Sequence, residues 1–488
     1  MEEQINPLKY KVVLNTLGNL IFFLGISMIF PLFYAIYYQE SHSIYAFSAS
    51  AIITILSGLF LQYTFIPENG IGRKEGFAIA TLGWILAAGF GTFPFLFNGT
   101  FINFIDAYFE SMSGFTTTGA TVLTSIEGNP LSVLFWRDQI QWMGGMGIIV
   151  LVVAILPALG VGGMQLFRSE VPGPEPDKLK PRIKETAKLL YLVYIIISIL
   201  QVACLYFTGM SLYDALTHMF GTMCTGGFTP KNLSVGHYNN PTYDYIILIF
   251  MFIAGANFTL HYKALHGDLK SLFKDREFLF YTGIIFLSTL IITTQLRFYI
   301  YNSIITAFRY ASFQVVSITT TTGFVTADYD QWPALSKNIL LILMFVGGCA
   351  GSTGGAIKNI RILILLKKAN REFQKILHPR AITQIYLGNK KISDEVVSNI
   401  TSFFLLYIII FVICTLIMAS LGLDMLSALS SVAATLGNVG PGLGLVGPAQ
   451  NYAFIPPFGK IILSICMLLG RLEIYTVLVL VVPEFWKK

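Results

Sequence analysis

Four short segments rich in threonine and glycine hold the residues best suited to bind a ligand in this 488-residue chain. Each has small polar residues around a glycine, and they read Gly114-Phe115-Thr116-Thr117-Thr118-Gly119-Ala120-Thr121, Gly221-Thr222-Met223-Cys224-Thr225-Gly226-Gly227-Phe228, Thr319-Thr320-Thr321-Thr322-Gly323-Phe324 and Ala434-Thr435-Leu436-Gly437-Asn438. We align Gly119, Gly226, Gly323 and Gly437 with one another. A long, loosely kept period with one polar insert in each unit indicates four related modules around one axis.

The chemistry that these residue types favour is the coordination of a dehydrated cation. Such an ion needs several oxygens at once, and rings of backbone carbonyls supply them. Glycine permits the backbone angles that turn carbonyls inward, and threonine adds hydroxyl oxygens without adding charge. The alternative is that the glycines serve only close helix packing. The predicted filter consists of Thr117, Thr118, Gly119, Cys224, Thr225, Gly226, Thr321, Thr322, Gly323, Thr435, Leu436, Gly437 and Asn438.

The composition indicates a polytopic α-helical membrane protein. Hydrophobic residues make up 55% of the chain and charged residues only 12%, against about 25% charged residues in soluble domains. Apolar runs of about 20 residues predict membrane-spanning helices. The net charge of +6 is therefore not read as a nucleic-acid surface. Ten spans are predicted, near 12–38, 44–66, 77–97, 131–159, 185–208, 242–262, 277–297, 335–367, 397–421 and 458–483.

Four shorter stretches lead directly into the threonine and glycine segments, near 102–117, 212–224, 301–320 and 425–435. Their length suits a half-helix that enters the membrane and returns as extended chain. Backbone of that kind is tolerated only where protein or a water-filled cavity surrounds it. The predicted unit is helix, half-helix, filter strand and helix. The predicted divisions are an N-terminal two-helix hairpin over 1–70 and pore repeats over 71–165, 166–270, 271–392 and 393–488.

The distribution of basic residues predicts the orientation in the bilayer. With the N-terminus in the cytoplasm, most of the 32 lysines and arginines fall in inner segments, as the positive-inside bias requires. Both termini are then cytoplasmic, in the cell inner (plasma) membrane. The segment 171–176 is predicted to be a stiff cytoplasmic connector. The basic stretch 367–395 is predicted to lie on the inner face, either as a docking surface for a soluble partner or as an ordinary lipid-facing helix.

A glycine-rich interruption in the last span of unit 3 is a candidate gate. Many glycines in a short run do not make a firm helix, so flexible polar chain would cross the path below the filter; the alternative is a close helix crossing. Arg471, deep in an apolar run, is expected to donate to carbonyls of this segment or to pair with Glu473. Packing is expected for the milder breaks at 144–147 and 254–257. The candidate gate residues are Gly347, Gly348, Gly351, Ser352, Thr353, Gly354, Gly355 and Arg471.

Charged residues also accompany the half-helices. Each half-helix points its partially negative C-terminal end toward the centre, which favours a cation there. Asp106, Asp214 and Asp424 are placed at N-cap positions, and they either cap only or add negative potential at the outer mouth. The third unit has no matching acid and carries Arg309. A buried arginine must be paired or held away from the axis, and Glu110 is its candidate partner.

These features resemble the Trk/Ktr/HKT superfamily of potassium transporters, and the N-terminal hairpin makes the chain most similar to the bacterial TrkH branch. The resemblance covers the whole chain. It is carried by Thr-Thr-Thr-Gly-Ala-Thr at 116–121, Cys-Thr-Gly-Gly-Phe-Thr at 224–229, Thr-Thr-Thr-Thr-Gly-Phe at 319–324 and Leu-Gly-Asn-Val-Gly-Pro-Gly-Leu-Gly at 436–444. The interruption at 347–355 and Arg471 also match family features.

The resemblance implies properties beyond those that the residues alone indicate. It implies a homodimer with one pore in each subunit, K+ uptake, and control by a cytosolic nucleotide-binding regulatory ring (TrkA-like) of Rossmann-like fold. In plant relatives a serine at the first filter glycine accompanies Na+ transport, so Gly119 implies K+ selectivity. Cys224 and Leu436 depart from the family pattern, which puts the symmetry of the ion sites in question.

The predicted function is a gated, K+-selective pathway that moves ions down their gradient, with K+ in the pore and no covalent cofactor. The alternative is a cation-coupled secondary transporter, a K+/H+ or K+/Na+ symporter. Such transporters usually have inverted repeats and ionisable residues at the midplane, whereas here the four units run in the same direction and the filter strands lack acids. An intramembrane enzyme is not expected, because no histidine pairs with a carboxylate at metal-ligand spacing.

Overall fold

Two apolar helical segments form a hairpin at the N-terminus of the computed structural model, which describes residues 8–66, 72–155, 183–381, 383–388 and 390–486. The first segment consists of α1 (Tyr10–Ser27) and α2 (Ile29–Tyr37), and the second is α3 (Ser41–Thr64). Small residues let α1 and α3 approach closely: a Cβ on Gly58 would lie 2.6 Å from the backbone nitrogen of Phe22. Such backbone proximity is a usual source of helix association in lipid.

Four helical units follow the hairpin. Unit 1 consists of α4 (Arg73–Gly91), α5 (Phe93–Phe97), α6 (Phe104–Phe115) and α7 (Leu131–Ile155). Unit 2 consists of α8 (Ile183–Phe207), α9 (Leu212–Met223), α10 (Pro241–Ala254), α11 (Phe258–Leu265) and the short α12 (Lys270–Lys274). Unit 3 consists of α13 (Arg276–Tyr299), α14 (Ile304–Thr319), α15 (Ala334–Val346) and α16 (Asn359–Leu377). Unit 4 consists of α17 (Asp394–Ser420), α18 (Met425–Leu436), α19 (Pro457–Arg471), α20 (Tyr475–Leu478) and α21 (Pro483–Trp486).

The lengths and composition of these helices agree with a polytopic membrane protein. Among the described residues, six helical segments are long and apolar enough to cross a bilayer. Two more qualify as pairs bent by 104° (α10 with α11) and 113° (α19 with the segment from Tyr475 to Val481). The other two predicted spans are α7 and the interrupted α15–α16. Large apolar side chains such as Phe23, Phe60 and Phe286 are at least 65% exposed on the outer surface. This exposure suits contact with lipid, whereas contact with water would be unfavourable.

The four half-helices are α6, α9, α14 and α18, and they confirm the short dipping segments expected before each threonine and glycine run. Each begins near the protein surface and ends in fully buried residues, because long helices of its own and adjacent units surround its last turns. Non-helical chain can follow at that depth because protein encloses it. The four chain reversals that follow the half-helices therefore lie in one buried region.

The basic stretch 367–395, predicted to lie on the inner face, is not one continuous helix. It is helical to Leu377, and a two-stranded antiparallel hairpin follows, formed by β1 (Ile385–Leu387) and β2 (Lys390–Ile392). Ile385 and Ile392 face one another in this hairpin and are both buried. The predicted connector at 171–176 lies outside the described residues.

Candidate cation pathway

Each half-helix ends in the same backbone motif. The cap residues are followed by residues in the left-handed region, namely Thr117 (φ 52°), Thr225 (φ 55°), Thr321 (φ 61°) and Asn438 (φ 54°). The next residue then donates its N–H to a carbonyl five positions earlier, for example Thr118 N to Ser113 O at 2.8 Å and Val439 N to Ala434 O at 2.7 Å. This is a Schellman motif, which usually uses glycine. Three threonines in this region are unusual, and strained backbone of this kind concentrates at functional sites.

The repeated motif identifies which glycines are equivalent. Two residues beyond each left-handed residue stands a glycine with positive φ, at Gly119 (82°), Gly227 (75°), Gly323 (79°) and Gly440 (101°). The sequence alignment of Gly226 and Gly437 with Gly119 was therefore wrong in units 2 and 4. Gly226 corresponds to Thr118, and Gly437 is the C-cap of its half-helix. The error arose because threonine and asparagine occupy the first left-handed position, so the number of glycines differs among the units.

The placement of the other predicted filter residues follows from this register. Cys224 is the C-cap of α9, equivalent to Thr116 and Thr320. Thr435 and Leu436 belong to the last turn of α18 rather than to an extended strand, and the Thr435 hydroxyl donates to Ser431 O. The inclusion of Thr435 and Leu436 in the filter strand was wrong. Thr117, Thr118, Thr225, Gly226, Thr321, Thr322 and Asn438 lie in the chain reversals as expected.

The four glycines bring successive strands into backbone contact around a ring. A Cβ on Gly119, Gly227, Gly323 or Gly440 would lie closer than 3.0 Å to a carbonyl oxygen of the next unit. The carbonyls concerned belong in turn to Gly226, Thr322, Val439 and Thr118, which are the residues just before the next glycine in the ring. The ring therefore runs through units 1, 2, 3 and 4 and closes on unit 1. A side chain at any of these glycines would push the strands apart.

Several carbonyl oxygens in this ring have no hydrogen-bond donor within the described part of the chain. They belong to Thr117, Thr118, Thr321, Thr322, Asn438 and Val439. Buried carbonyls are normally paired, so a group of unpaired ones on neighbouring strands is suited to a cation. The carbonyl of Gly226 is the exception, since it accepts from Gln141 Nε2 at 2.7 Å.

Side-chain hydrogen bonds stiffen two of the strands internally and join one strand to its neighbour. The hydroxyls of Thr116 and Thr118 are 2.8 Å apart, and those of Thr320 and Thr322 are 2.7 Å apart. These bonds occur in units 1 and 3, which face each other across the ring. Unit 4 instead uses Asn438, whose Nδ2 donates to Thr118 Oγ1 at 3.0 Å. The hydroxyls thus stiffen the strands, and the main-chain carbonyls are the oxygens left available to a cation.

A cavity of about 180 Å³ is lined by all four ring glycines and by the loops that follow the strands. Asp106, Asp214 and Asp424 are not among its lining residues. Asp424 caps α18 as expected, accepting from Leu426 N and Ser427 N. The N-caps of α6 and α9 are instead Asn103 and Ser211.

Asp106 and Asp214 each lie in the first turn of their half-helix, so their assignment as N-caps was wrong. Asp106 accepts from Lys460 Nζ at 2.6 Å. Asp214 forms a reciprocal pair with Ser211, whose hydroxyl accepts from Asp214 N at 3.0 Å. Negative charge in the first helical turn is stabilising in itself, which accounts for both residues without a role at the ion path.

Two arginines, of which Arg137 is buried and Arg309 is partly exposed, are paired with acids around the half-helices. Arg309 donates to Asp244 at 2.7 Å, so the expected pairing with Glu110 was wrong. Glu110 is the partner of Arg137, with 2.6 Å between Oε1 and Nε. Arg137, which sequence reasoning had not selected, also donates to Thr229 O at 3.2 Å. A charge inside the apolar run 131–159 was the signal that could have identified it.

The interruption in unit 3 is a non-helical segment between α15 and α16, and we call residues 347–358 the intramembrane loop. Left-handed backbone at Gly347 (φ 74°) and Gly351 (φ 72°) lets it leave the helical path. Cys349 N donates to Gly255 O at 2.8 Å. The loop thus meets the break at 254–257, which combines a bend of 104° with the close packing expected there, since a Cβ on Gly255 would lie 2.6 Å from Thr320 Cγ2.

Arg471 joins the loop to two other units. It is 3% exposed, and its guanidinium donates to Thr353 O at 2.7 Å and to Gly144 O at 3.0 Å. The expected contact with the interrupted segment is therefore present. The alternative partner, Glu473, instead accepts from Lys358 at 3.0 Å and also pairs with Arg361.

The milder break at 144–147 behaves as expected, since α7 continues through it. A Cβ on Gly144 would lie closer than 3.0 Å to Phe115 O. Packing of α7 against the end of α6 therefore explains this glycine.

Glu277 is a further residue at the loop that sequence reasoning missed. Its Oε1 accepts from Ala350 N at 2.7 Å and from Ile360 N at 3.1 Å. One carboxylate oxygen thereby holds both sides of the loop. Glu277 lies beside Asp275 and Arg276 at the start of an apolar run. In the sequence it therefore resembles an ordinary acidic residue at a helix N-terminus.

The ring of pore loops and the interrupted inner helix define a class of membrane transport proteins built from four pore-loop units. The chain belongs to the TrkH family, described as cation transport proteins, whose sequence model matches residues 42–488. It is 42% identical to the Trk system potassium uptake protein TrkH of Salmonella typhimurium strain LT2, over 98% of this chain and all of that relative. The TrkH of Escherichia coli K12 is also 42% identical over the same shares.

A solved structure gives the same result. The crystal structure of the potassium transporter TrkH from Vibrio parahaemolyticus superposes with a TM-score of 0.89 at 37% identity. It covers 98% of this chain and 100% of that one. Nearly the whole chain therefore has a counterpart of known architecture.

Proposed function

We propose that this protein is a gated, K+-selective permeation pathway and the potassium uptake subunit of a Trk system. The observation that carries the proposal is the ring in which four glycines each abut a carbonyl of the next strand. Rings of carbonyls replace the hydration shell of K+ in selective pores. The names of the relatives, potassium uptake proteins of the Trk system, favour the same ion.

The proposed filter follows the structural register. It consists of Thr117, Thr118, Gly119, Thr225, Gly226, Gly227, Thr321, Thr322, Gly323, Asn438, Val439 and Gly440. The helix dipoles of α6, α9, α14 and α18 end at these strands with their negative ends, which stabilises a cation without an acidic side chain that would hold it too tightly.

The proposed gate is the intramembrane loop together with Arg471. The loop separates two helices that would otherwise form one span, and its residues contact three of the four units. Hydrogen bonds from a buried guanidinium are stronger than neutral ones, so Arg471 is suited to hold the loop in place. Opening requires these bonds to break.

A cation-coupled transporter is the second candidate, and buried acids beside the loop favour it. Glu277 and Glu473 are both largely buried near the inner part of the path. Ionisable groups at such depth can carry protons in coupled transporters. Glu473 is already paired with two basic residues, and Glu277 holds backbone N–H groups, so structural roles account for both.

The remaining assignments are also proposals. The term "Trk system" in the relatives' names supports a multi-component assembly, and we propose a homodimer that binds a cytosolic nucleotide-binding ring. The exposed apolar side chains of Phe373, Ile376 and Leu377 at the basic end of α16 give such a ring a surface to bind. We place the protein in the inner membrane with both termini in the cytoplasm, and we propose K+ as its only ligand in the pore.

Reconstitution tests the function directly. Purified protein in planar bilayers should give discrete, K+-selective openings, with a reversal potential that follows the K+ gradient alone. A reversal potential that instead depends on a fixed ratio of H+ or Na+ to K+ would establish the coupled transporter. Liposomes that take up neither K+ nor Na+ would contradict both candidates.

A further inference from the structure

The intramembrane loop donates hydrogen bonds to oxygens at the inner end of the filter. Gly355 N donates to the hydroxyl oxygen of Thr321 at 2.9 Å. The Thr353 hydroxyl donates to Met223 O at 3.1 Å. Met223 is the last residue of α9, and Thr321 is the left-handed residue of unit 3. The loop therefore contacts the end of one half-helix and one filter strand through donors, not only through packing.

Two more oxygens at the same level lie against glycines of the loop. A Cβ on Gly355 would lie 2.6 Å from Gly437 O, and one on Gly354 would lie 3.1 Å from Thr320 O. Gly437 and Thr320 are the C-caps of α18 and α14. Residues of units 2, 3 and 4 thus present oxygens at the negative ends of three helix dipoles, where a cation is stabilised.

We propose that these oxygens form the innermost cation site of the pathway, and that the loop and a permeating cation compete for them. This inference rests on the proposed function. The Met223 carbonyl and the Thr321 hydroxyl are ligands suited to K+. While the loop is closed, its donors point at them, and an N–H or O–H directed at an oxygen repels a cation there. The site becomes available only when the loop withdraws.

The hydrogen bonds of Thr353 are suited to this exchange. Its hydroxyl lies 3.3 Å from Ala254 O as well as 3.1 Å from Met223 O. It can therefore release Met223 and still donate to Ala254, so no buried hydroxyl is left unpaired. Arg471, which binds the carbonyl of the same residue, opposes the withdrawal.

The competition between the loop and the cation predicts the direction in which K+ changes the open probability. A ligand that binds only one of two conformations shifts the equilibrium toward that conformation. K+ at the innermost site binds only the withdrawn loop, so open probability should rise with the K+ concentration on the cytoplasmic side. By reciprocity, changes that weaken the closed loop should increase the apparent affinity for K+ at that site.

The test compares three variants of the full chain in planar bilayers, with open probability recorded while cytoplasmic-side K+ is varied. Thr353→Val preserves shape and removes the donor, whereas Thr353→Ser keeps the hydroxyl. Thr282→Val is the matched control, because it makes the same change outside the loop, where the Thr282 hydroxyl donates to Phe278 O within α13. We expect the half-maximal K+ concentration to fall by about fivefold in Thr353→Val, the factor expected for one ordinary hydrogen bond. Thr353→Ser, which keeps the donor, should show a much smaller shift, and Thr282→Val should resemble the unaltered protein.

The outcomes separate this inference from the proposed function. K+-selective openings whose probability does not depend on cytoplasmic-side K+ would overturn the competition and leave the pore intact. Equal shifts in Thr353→Val and Thr282→Val would also overturn it, because the shift would then not depend on the filter oxygens. If Thr353→Val does not fold, the K+ dependence of the unaltered protein and of Thr353→Ser still decides the question.

Discussion

The four strands of the ring, here called the filter layer, and the helices that follow them, here called the inner layer, come from the same four units. Only the filter layer keeps the similarity among these units. All four strands share a Schellman motif and a glycine with positive φ two residues beyond the left-handed residue. The inner helices differ in every unit: α7 is continuous, α10 and α11 meet at 104°, α15 and α16 are separated by the loop, and α19 is followed by a bend of 113°.

The difference shows which part of the molecule each layer depends on. In the proposed pathway a cation must be surrounded, and only backbone carbonyls from all four strands can do so evenly; the filter layer is therefore expected to tolerate varied side chains but not a Cβ at the ring glycines. In the proposed gate, one segment of the inner layer crosses the path. It is held by individual side chains, chiefly Arg471, Glu473 and Glu277.

The largest effect is expected from breaking the ring itself. Gly227→Ala puts a Cβ closer than 3.0 Å to Thr322 O on backbone with positive φ, so the strands of units 2 and 3 must separate. We expect K+ uptake into liposomes to fall at least about tenfold, comparable to about 1.4 kcal/mol or more of lost ion coordination. Gly128→Ala, where the nearest atom is 3.8 Å away, is the control and should retain uptake. Normal uptake by Gly227→Ala would contradict the ring.

A second variant alters the ring more selectively. Gly119→Ser introduces a side chain facing Gly226 O, and we expect the permeability for Na+ to rise severalfold relative to K+, because the carbonyls no longer fit the larger ion. Bi-ionic reversal potentials measure this ratio. Unchanged discrimination in a folded protein would count against the assignment of Gly119 to the filter.

The inner layer should respond in the opposite direction. Arg471→Ala, or deletion of 350–353, removes the bonds that hold the loop, and each hydrogen bond to a charged group contributes about 1.5–3 kcal/mol. We expect open probability to increase by about tenfold. Arg297→Ala, at an exposed arginine near the end of α13, should behave like the unaltered protein. A monodisperse Arg471→Ala protein with unaltered open probability would remove the gating proposal.

The smallest effect is expected where the filter layer itself departs from symmetry. Gln141 donates to Gly226 O at 2.7 Å and accepts from Phe228 N at 2.8 Å, and a Cβ on Gly226 would lie 2.6 Å from its amide carbon. For the strand of unit 2, Gln141 thus takes the place of the threonine hydroxyl pairs that stiffen the strands of units 1 and 3.

Removal of the Gln141 hydrogen bonds should make the strand of unit 2 less rigid. For Gln141→Met we expect K+/Na+ discrimination to fall about two- to fivefold, the range of one neutral hydrogen bond. Gln139→Met, on the same helix with its amide on Ser27 O, is the control. Equal discrimination in the two variants would show that Gln141 has no special part in the filter.

The sequence was sufficient for the half-helices and the interrupted span. Apolar length and glycine content determine both, and they are local properties. The contact between Arg471 and the loop could be anticipated because the repeat places both interruptions at one depth. The equivalence of Gly227 and Gly440 with Gly119 could not, since Thr225 and Asn438 adopt angles that usually indicate glycine. The pairing of Arg309 with Asp244 joins residues 65 positions apart and depends on how two helices rotate against each other.

The closure of the ring also has a consequence for biogenesis. The last strand meets the first through Asn438 and Thr118, which are 320 residues apart in the chain, and contacts of such separation form late. Until the fourth unit has been synthesised and inserted, one wall of the pathway is missing. A nascent chain that still lacks the fourth unit therefore has no closed ring of strands.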